Sequence, residues 1–273
     1  MMTRPTLLVS AARIFDLSLG QMLWSRRSVF LGLLVGAPIV LAIGIRLLAS
    51  SGHLPVVNGA SVSGSTLFGV LIWLLFIRFI VPVLGVFYGT SLIADEVDDK
   101  TITYLFTRPI PRAAVLLGKY LAYLACTVLL VLPSVVLIYL LVTPLGGSIG
   151  EAFPLLLADL GMLAVGLAAY GAVFALVGAR LKRPLVLGLV FTFGWEPGVM
   201  LFPGYLKRLT VAYYLQALVP HAMPQDSAAS MLTQIFREVP PVLLSLVALA
   251  IISVVTLWWA GSTVEKREYV LEQ

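Results

Sequence analysis

The stretch AAVLLGKYLAYLACTVLLVLPSVVLIYLLV, Ala113–Val142, contains thirty residues and only one charged side chain, Lys119. A helix rises about 1.5 Å per residue, so a helix of this length extends about 45 Å. The hydrocarbon core of a bilayer is only about 30 Å thick. The stretch therefore predicts a helix that crosses a membrane.

The composition of the whole chain points the same way. Of its 273 residues, 60% are hydrophobic and 11% are charged, and the mean hydropathy is +1.03. Soluble domains carry about 25% charged residues, so a soluble protein this apolar could not cover its surface. Membrane β-barrels alternate polar and apolar residues in segments of about ten residues, and the sequence shows no such alternation. We therefore expect an all-α integral membrane protein.

Six runs are long and apolar enough to be candidate spans. They cover residues 29–49, 67–94, 113–142, 152–179, 184–202 and 241–261. The fifth run is interrupted by Gly194, Pro197 and Gly198. The sequence of these runs shows no convincing internal repeat. We interpret residues 29–273 as one six-span domain, and residues 1–28 precede it.

The distribution of Lys and Arg predicts the orientation. If both termini are cytoplasmic, twelve basic residues fall inside, and three fall outside with a fourth near an outer helix end. The inner set is Arg4, Arg13, Arg26, Arg27, Lys100, Arg108, Arg112, Arg180, Lys182, Arg183, Lys266 and Arg267; the outer set is Lys207, Arg208, Arg237 and Arg46. Cytoplasmic loops of membrane proteins are enriched in Lys and Arg. The net charge of +5 therefore indicates multi-pass topology in a cell membrane, inner or plasma, rather than nucleic-acid binding.

Residues 6–23 show the spacing of an amphipathic helix. Leu8, Ala11 and Phe15 fall near one side, and Ser10 and Arg13 fall near another. This pattern predicts a helix that lies in the inner membrane interface before the first span. An irregular tail is the alternative.

Residues 203–241, on the predicted outer side, are too broken to cross a membrane. We expect one or two short helices there, with apolar and tyrosine side chains dipping into the outer interface. These side chains are Leu206, Leu209, Tyr213, Tyr214 and Leu218.

The stretch IADEVDDKTITYLFTRPIPR, residues 93–112, is a charged island between the second and third spans. Asp99 is a suitable N-cap for a short helix, and Pro109 limits that helix because the residue before a proline disfavours the α conformation. Ile102, Leu105 and Phe106 would then share one apolar face. That face could lie on lipid, or it could fit a groove in a cytoplasmic partner.

Residues 93–122 resemble the cytoplasmic signature of ABC-2 type transporter permeases. The resemblance rests on a threonine, leucine and proline block followed by a Leu-Leu-Gly-Lys sequence at the start of the third span. The matching residues are Thr101, Leu105, Phe106, Thr107, Pro109, Ile110, Arg112, Leu116, Leu117, Gly118 and Lys119. The block WEPGVMLFPGYLKRLTVAYYL, residues 195–215, is similar to the one that these permeases carry after their fifth span.

The resemblance implies a membrane subunit of an ATP-driven exporter. The charged island would be the coupling helix, which docks on a separate ATP-binding subunit. It implies a transporter with two ATP-binding subunits and two permease chains, identical or paralogous, in the bilayer. ATP and Mg would bind to the ATP-binding subunit, and this chain would bind no cofactor. The residues implied in coupling are Asp95, Glu96, Asp99, Thr101, Ile102, Leu105, Phe106, Thr107, Arg108, Pro109 and Arg112.

The chain itself lacks a P-loop. Its only Gly-Lys pair, Gly118-Lys119, is followed by Tyr120 instead of Ser or Thr. ATP hydrolysis is therefore expected on another chain, and this one is expected to be no enzyme.

Three charged residues fall deep inside predicted spans, namely Arg78, Asp159 and Glu196. Charges within a membrane are costly and often functional. All three fall in the outer half of the predicted bundle, so Arg78 could pair with Glu196 or Asp159. We hypothesise an Arg78–Glu196 pair, with substrate gating, a structural ion pair and snorkelling towards the interface as the possible roles.

The remaining motifs are weaker. Gly32-xxx-Gly36, Gly85-xxx-Gly89 and Gly194-xxx-Gly198 are typical of close helix approach. The resemblance to ABC-2 type permeases implies that the first and fifth spans form a dimer seam. His53 and His221 are far apart and no His-Glu-x-x-His motif occurs, so we expect no metal site. A stand-alone secondary transporter or channel and an intramembrane enzyme are the alternative functions.

Overall fold

The computed structural model describes residues 7–24, 26–52, 56–57, 60–61, 63–98, 112–200, 205–221 and 240–266. Eight helical units make up nearly all of the described chain. They are α1 (Leu7–Leu23), α2 (Arg26–Ser50), α3 (residues 64–98), α4 (Arg112–Val142), α5 (Ile149–Arg180), α6 (residues 184–200), α7 (Val211–Gln216) and α8 (Val242–Lys266). A 3₁₀ turn, Tyr205–Leu209, precedes α7. The strands β1 (Val56–Val57) and β2 (Ala60–Ser61) form a two-residue antiparallel ladder, with Val56 opposite Ser61.

Five helices of the described chain are long and apolar enough to cross a membrane, which confirms an α-helical membrane protein. They are α2, α3, α4, α5 and α8, and their bounds agree with the predicted spans to within about five residues. Helix α6 is apolar but shorter, as Pro184–Val199. The count of six spans therefore stays a prediction, because the fifth predicted span corresponds to this shorter helix.

Helix α3 is continuous and contains two π-helical segments between its α-helical parts. The segments Ile72–Ile80 and Gly85–Gly89 are π-helical, and Gly64–Leu71, Val81–Leu84 and Thr90–Asp98 are α-helical. Such wide turns are uncommon and are found most often at functional sites. The first of them carries Arg78.

Helices α3 and α5 form the centre of the bundle and approach each other closely. A Cβ atom on Gly85 would lie 2.6 Å from the Cβ of Tyr170, and one on Gly89 would lie 2.8 Å from the Cβ of Phe174. Farther along, Gly178 packs directly on the backbone of Thr90. The Gly85-xxx-Gly89 pattern thus serves a seam within the chain, because only glycine leaves room for the facing helix.

Helix α1 covers the predicted residues, and Ser10, which was expected on the polar side, lies buried beside Ala11. Ser10, Ala11 and Ser18 are buried, whereas Leu17 is 71% exposed. A Cβ on Gly118 of α4 would lie 2.6 Å from the carbonyl oxygen of Ala11. Ile14 also contacts this point, so α1 packs on α4 through the small residues Ala11 and Gly118 with Ile14 beside them.

Most of the predicted coupling residues lie outside the described residues. These are Asp99, Thr101, Ile102, Leu105, Phe106, Thr107, Arg108 and Pro109, together with the side chains of Glu96 and Arg112. The described flanks are the end of α3, which carries Asp95 and continues to Asp98, and the start of α4 at Arg112.

Candidate functional site

The carboxyl group of Glu196 lies inside the bundle with three hydrogen-bond donors around it. Its side chain is 3% exposed. The Tyr170 hydroxyl donates to Oε2 at 2.6 Å, and the backbone N–H groups of Val211 and Ala212 approach Oε1 at 3.1 and 3.4 Å. One acidic side chain on α6 thus joins α5 to the first turn of α7.

This junction lies deep in the bundle. Glu196 is twelve residues after Pro184, about 18 Å along α6. Tyr170 is ten residues before Arg180, about 15 Å from the end of α5. Both distances correspond to about half the thickness of a hydrocarbon core, so the first turn of α7 meets Glu196 near the middle of the bundle.

Arg78 belongs to the same region. Its guanidinium carbon lies 5.0 Å from the centre of the Trp73 ring, and its charge interacts electrostatically with both Glu196 and Tyr170. The direct hydrogen bonds of the Glu196 carboxyl group, however, come from Tyr170 and the backbone of α7. The Arg78–Glu196 pair therefore stays a hypothesis, and Tyr170 is a direct partner of Glu196.

Asp159 forms a second buried contact, with a histidine. Its Oδ2 atom lies 2.7 Å from Nε2 of His221, and Asp159 is fully buried. The His221 ring sits against Gly69, where a Cβ would lie 2.8 Å from its Cγ, and it makes an edge contact with Phe68 at 5.6 Å. The alternative of an Arg78–Asp159 pair is therefore replaced by an Asp159–His221 pair.

Residues 205–221, which we call the inserted segment, are held at two points by these acids. Glu196 binds the start of α7, and Asp159 binds His221 five residues after its end. Between them Leu215 is fully buried, 3.1 Å from the position of a Cβ on Gly166. A chain that only covered the outer surface would not fill the core in this way.

The depth of this segment corrects the sequence prediction for one of its side chains. Leu206 and Leu209, expected to dip into the interface, are 54% and 71% exposed, as side chains that contact lipid would be. Tyr213, predicted for the same role, is buried, as are Thr210 and Val211. The Thr210 hydroxyl accepts a hydrogen bond from the N–H of Tyr213, which caps α7 and lets its first turn enter the bundle.

Sequence reasoning identified the two acids and Arg78 but missed Tyr170, His221 and the backbone donors of α7. A buried carboxyl group needs hydrogen-bond or ionic partners. This requirement was the one indication in the sequence that such partners exist. Tyrosine in an apolar helix resembles ordinary packing, and His221 is 62 residues from Asp159. The spacing of residues in the sequence therefore identified neither the partners of the two acids nor the depth of those partners in the bundle.

The arrangement positions a segment of the chain between helices. Among the described residues no three His, Cys, Asp or Glu side chains come together to hold a metal ion. The Asp159–His221 and Glu196–Tyr170 contacts instead link α5 and α6 to the inserted segment. Any movement of α5 relative to α6 would therefore act on that segment.

Comparison with known proteins gives a family for nearly the whole chain. The model of the ABC-2 family transporter proteins matches residues 10–259. A search of the curated proteins finds no match. The matched range includes every described contact of Glu196 and Asp159.

Proposed function

Because the chain belongs to the ABC-2 family of transporter proteins, we propose that it is the permease subunit of an ATP-driven exporter. A separate ATP-binding subunit, in two copies, would hydrolyse ATP with Mg. The permease itself would be non-catalytic and would lie in the cell membrane with both termini in the cytoplasm. The observation that carries this proposal is the family match over residues 10–259 of a chain with five membrane-crossing helices.

Coupling would begin at residues 99–111, between the end of α3 and the start of α4. The apolar face of Ile102, Leu105 and Phe106 would enter a groove on the ATP-binding subunit, where i, i+3 and i+4 side chains act as anchors. Asp95 lies near the end of α3 that leads into this stretch. A push on the stretch would therefore act first on α3.

The α3–α5 seam supports transmission from that end to the buried acids. Thr90 packs on Gly178, Phe174 on Gly89 and Tyr170 on Gly85. Tyr170 then donates its hydrogen bond to Glu196, which holds α7. We propose that displacement of α3 moves α5 along this seam and shifts the inserted segment, opening a path between the helices.

A second permease chain would complete the transporter. Cβ atoms on Gly32, Gly36 and Gly198 would meet nothing within 4 Å, and one on Gly194 would meet only Val190 at 3.9 Å. The small-residue faces of α2 and α6 are thus open in the single chain. We propose that they form the seam with a second copy or a paralogue, since glycine faces allow close helix approach.

Co-purification with an ATP-binding subunit expressed from the neighbouring genes tests the proposal. We expect a stable complex whose ATPase activity depends on the permease. Leu105→Asp and Phe106→Asp, each made singly, should abolish the complex, because each puts a charge on the docking face. Thr103→Asp adds the same charge on another face of the predicted helix and should leave the complex intact. A chain that transports substrate without any ATPase, or a complex insensitive to both substitutions, would reject the proposal.

A further inference from the structure

A basic groove lies where α5 and α8 end on the same side of the bundle. Its volume is about 440 Å³, and it is lined by Arg180, Trp259, Ser262, Thr263 and Lys266. Two of these residues are cations and two carry hydroxyl groups, so the lining can bind an anion through charge and hydrogen bonds. None of the buried acids described above lines it.

The arginine in this groove is held in a defined orientation. Its guanidinium carbon lies 4.4 Å from the centre of the Trp259 ring. A planar guanidinium that stacks on an aromatic face directs its N–H groups outward in its own plane, and this fork matches phosphate oxygens. Contact with the Trp259 ring thus keeps the Arg180 charge at the groove.

Apolar surface continues from the groove along α8. Val254, Val255 and Trp258 are all exposed there, Trp258 at 74%. Tryptophans are enriched at the boundary between hydrocarbon and headgroups, so Trp258 and Trp259 mark that boundary. A ligand with one anionic end and long apolar chains fits both parts of this surface.

We propose that the groove binds the phosphate headgroup of an anionic phospholipid, with its acyl chains along α8. Basic pockets between membrane helices on the cytoplasmic side are suited to such headgroups. The phosphate would lie between Arg180 and Lys266, and the hydroxyl of Ser262 would donate to it. This site is independent of ATP coupling and of the transported substrate.

Native mass spectrometry of the detergent-purified chain, titrated with phosphatidylglycerol or phosphatidylcholine, tests the proposal. We expect wild-type protein to bind phosphatidylglycerol in preference to phosphatidylcholine. The variant Arg180→Gln/Lys266→Gln should weaken phosphatidylglycerol binding about tenfold or more, since both cations that would contact the phosphate are lost. The swap Arg180→Lys/Lys266→Arg keeps both charges and should retain most of the binding.

The matched control removes two charges at the same boundary but outside the groove. Lys182 and Arg183 are exposed and follow α5 directly, and neither lines the groove. Lys182→Gln/Arg183→Gln should change phosphatidylglycerol binding less than about twofold, because exposed charges outside the groove are screened by solvent and salt. Equal losses in both double variants, or equal binding of the two lipids, would overturn the proposal. Equally tight binding of glycerophosphoglycerol, which lacks acyl chains, would identify a soluble anion as the ligand and would also overturn it.

Discussion

The Tyr170 hydroxyl donates a 2.6 Å hydrogen bond to Oε2 of Glu196, with both side chains buried. The same carboxyl group accepts from the first turn of α7 through its other oxygen. Tyr170 also packs on Gly85, so one residue touches α3, α6 and, through Glu196, α7. Its hydroxyl is therefore the point at which the central seam meets the inserted segment.

Removal of that hydroxyl should destabilise the fold. Tyr170→Phe keeps the ring but takes one donor from a buried carboxyl group, and losses of this kind are worth about 1–3 kcal/mol. We expect a lower midpoint of thermal unfolding for the purified protein in detergent. We also expect faster hydrogen exchange over residues 205–221, because α7 loses the support of a fixed Glu196.

Tyr120→Phe is the matched control for this substitution. The Tyr120 hydroxyl donates to the carbonyl oxygen of Ala168 at 2.9 Å, also on α5. Its loss affects a neutral hydrogen bond, worth about 0.5–1.5 kcal/mol, and exchange over residues 205–221 should stay as in wild type. Equal effects of the two substitutions on that exchange would show that Tyr170 has no special link to the inserted segment.

A double-mutant cycle tests whether Arg78 and Glu196 act together. Arg78→Ala and Glu196→Ala should each lower stability, and the double variant should lose less than the sum. Groups that share one network show coupling energies of about 0.5–3 kcal/mol. Thermal unfolding of the four proteins gives the coupling, and additive losses would mean that the two residues act independently.

The sequence predicted the membrane spans of the bundle better than the contacts of Glu196 and Asp159. Hydropathy located the first span at residues 29–49, and the structure has Arg26–Ser50, because lipid imposes apolar side chains over a fixed length. The cost of buried charge also singled out Glu196 and Asp159 correctly. Their partners depend on which helices lie together, and no local pattern in the chain carries that information.

The inserted segment shows the same limit. Thr210 could be recognised as a cap only once Val211 was known to start a helix. The pattern of Leu206, Leu209 and Tyr213 predicted contact with the interface, yet the Tyr213 side chain is buried. In a short segment of this kind, tertiary contacts determine how deeply each side chain is buried. The periodicity of only two helical turns does not predict that depth.

The α3–α5 seam should not tolerate a methyl group at its closest point. Gly85→Ala would place a Cβ 2.6 Å from the Cβ of Tyr170 and 3.2 Å from its backbone carbon. Backbone cannot move aside easily, and overpacking of this kind is worth about 1–3 kcal/mol. We expect a lower unfolding midpoint and reduced transport in vesicles.

Gly161→Ala is the control for the seam. Gly161 lies on α5, and a Cβ there would meet nothing within 4 Å. Alanine favours a helix interior over glycine by about 1 kcal/mol, so this variant should be as stable as wild type or slightly more stable. If Gly85→Ala behaved in the same way, the close approach of α3 and α5 would not matter to the fold.

The Asp159–His221 contact should hold the end of the inserted segment against α3 and α5. His221→Leu leaves a buried carboxyl group without its 2.7 Å partner, and loss of one member of a buried pair is worth about 3–5 kcal/mol. Asp159→Leu/His221→Leu replaces both members by apolar groups and should recover much of that loss, since well-packed apolar pairs can replace buried ion pairs. Thermal unfolding of the single and double variants measures the recovery, and protease cleavage after residue 205 reports release of the segment. A double variant less stable than His221→Leu would mean that Asp159 has a partner other than His221 and that the contact does not retain the segment.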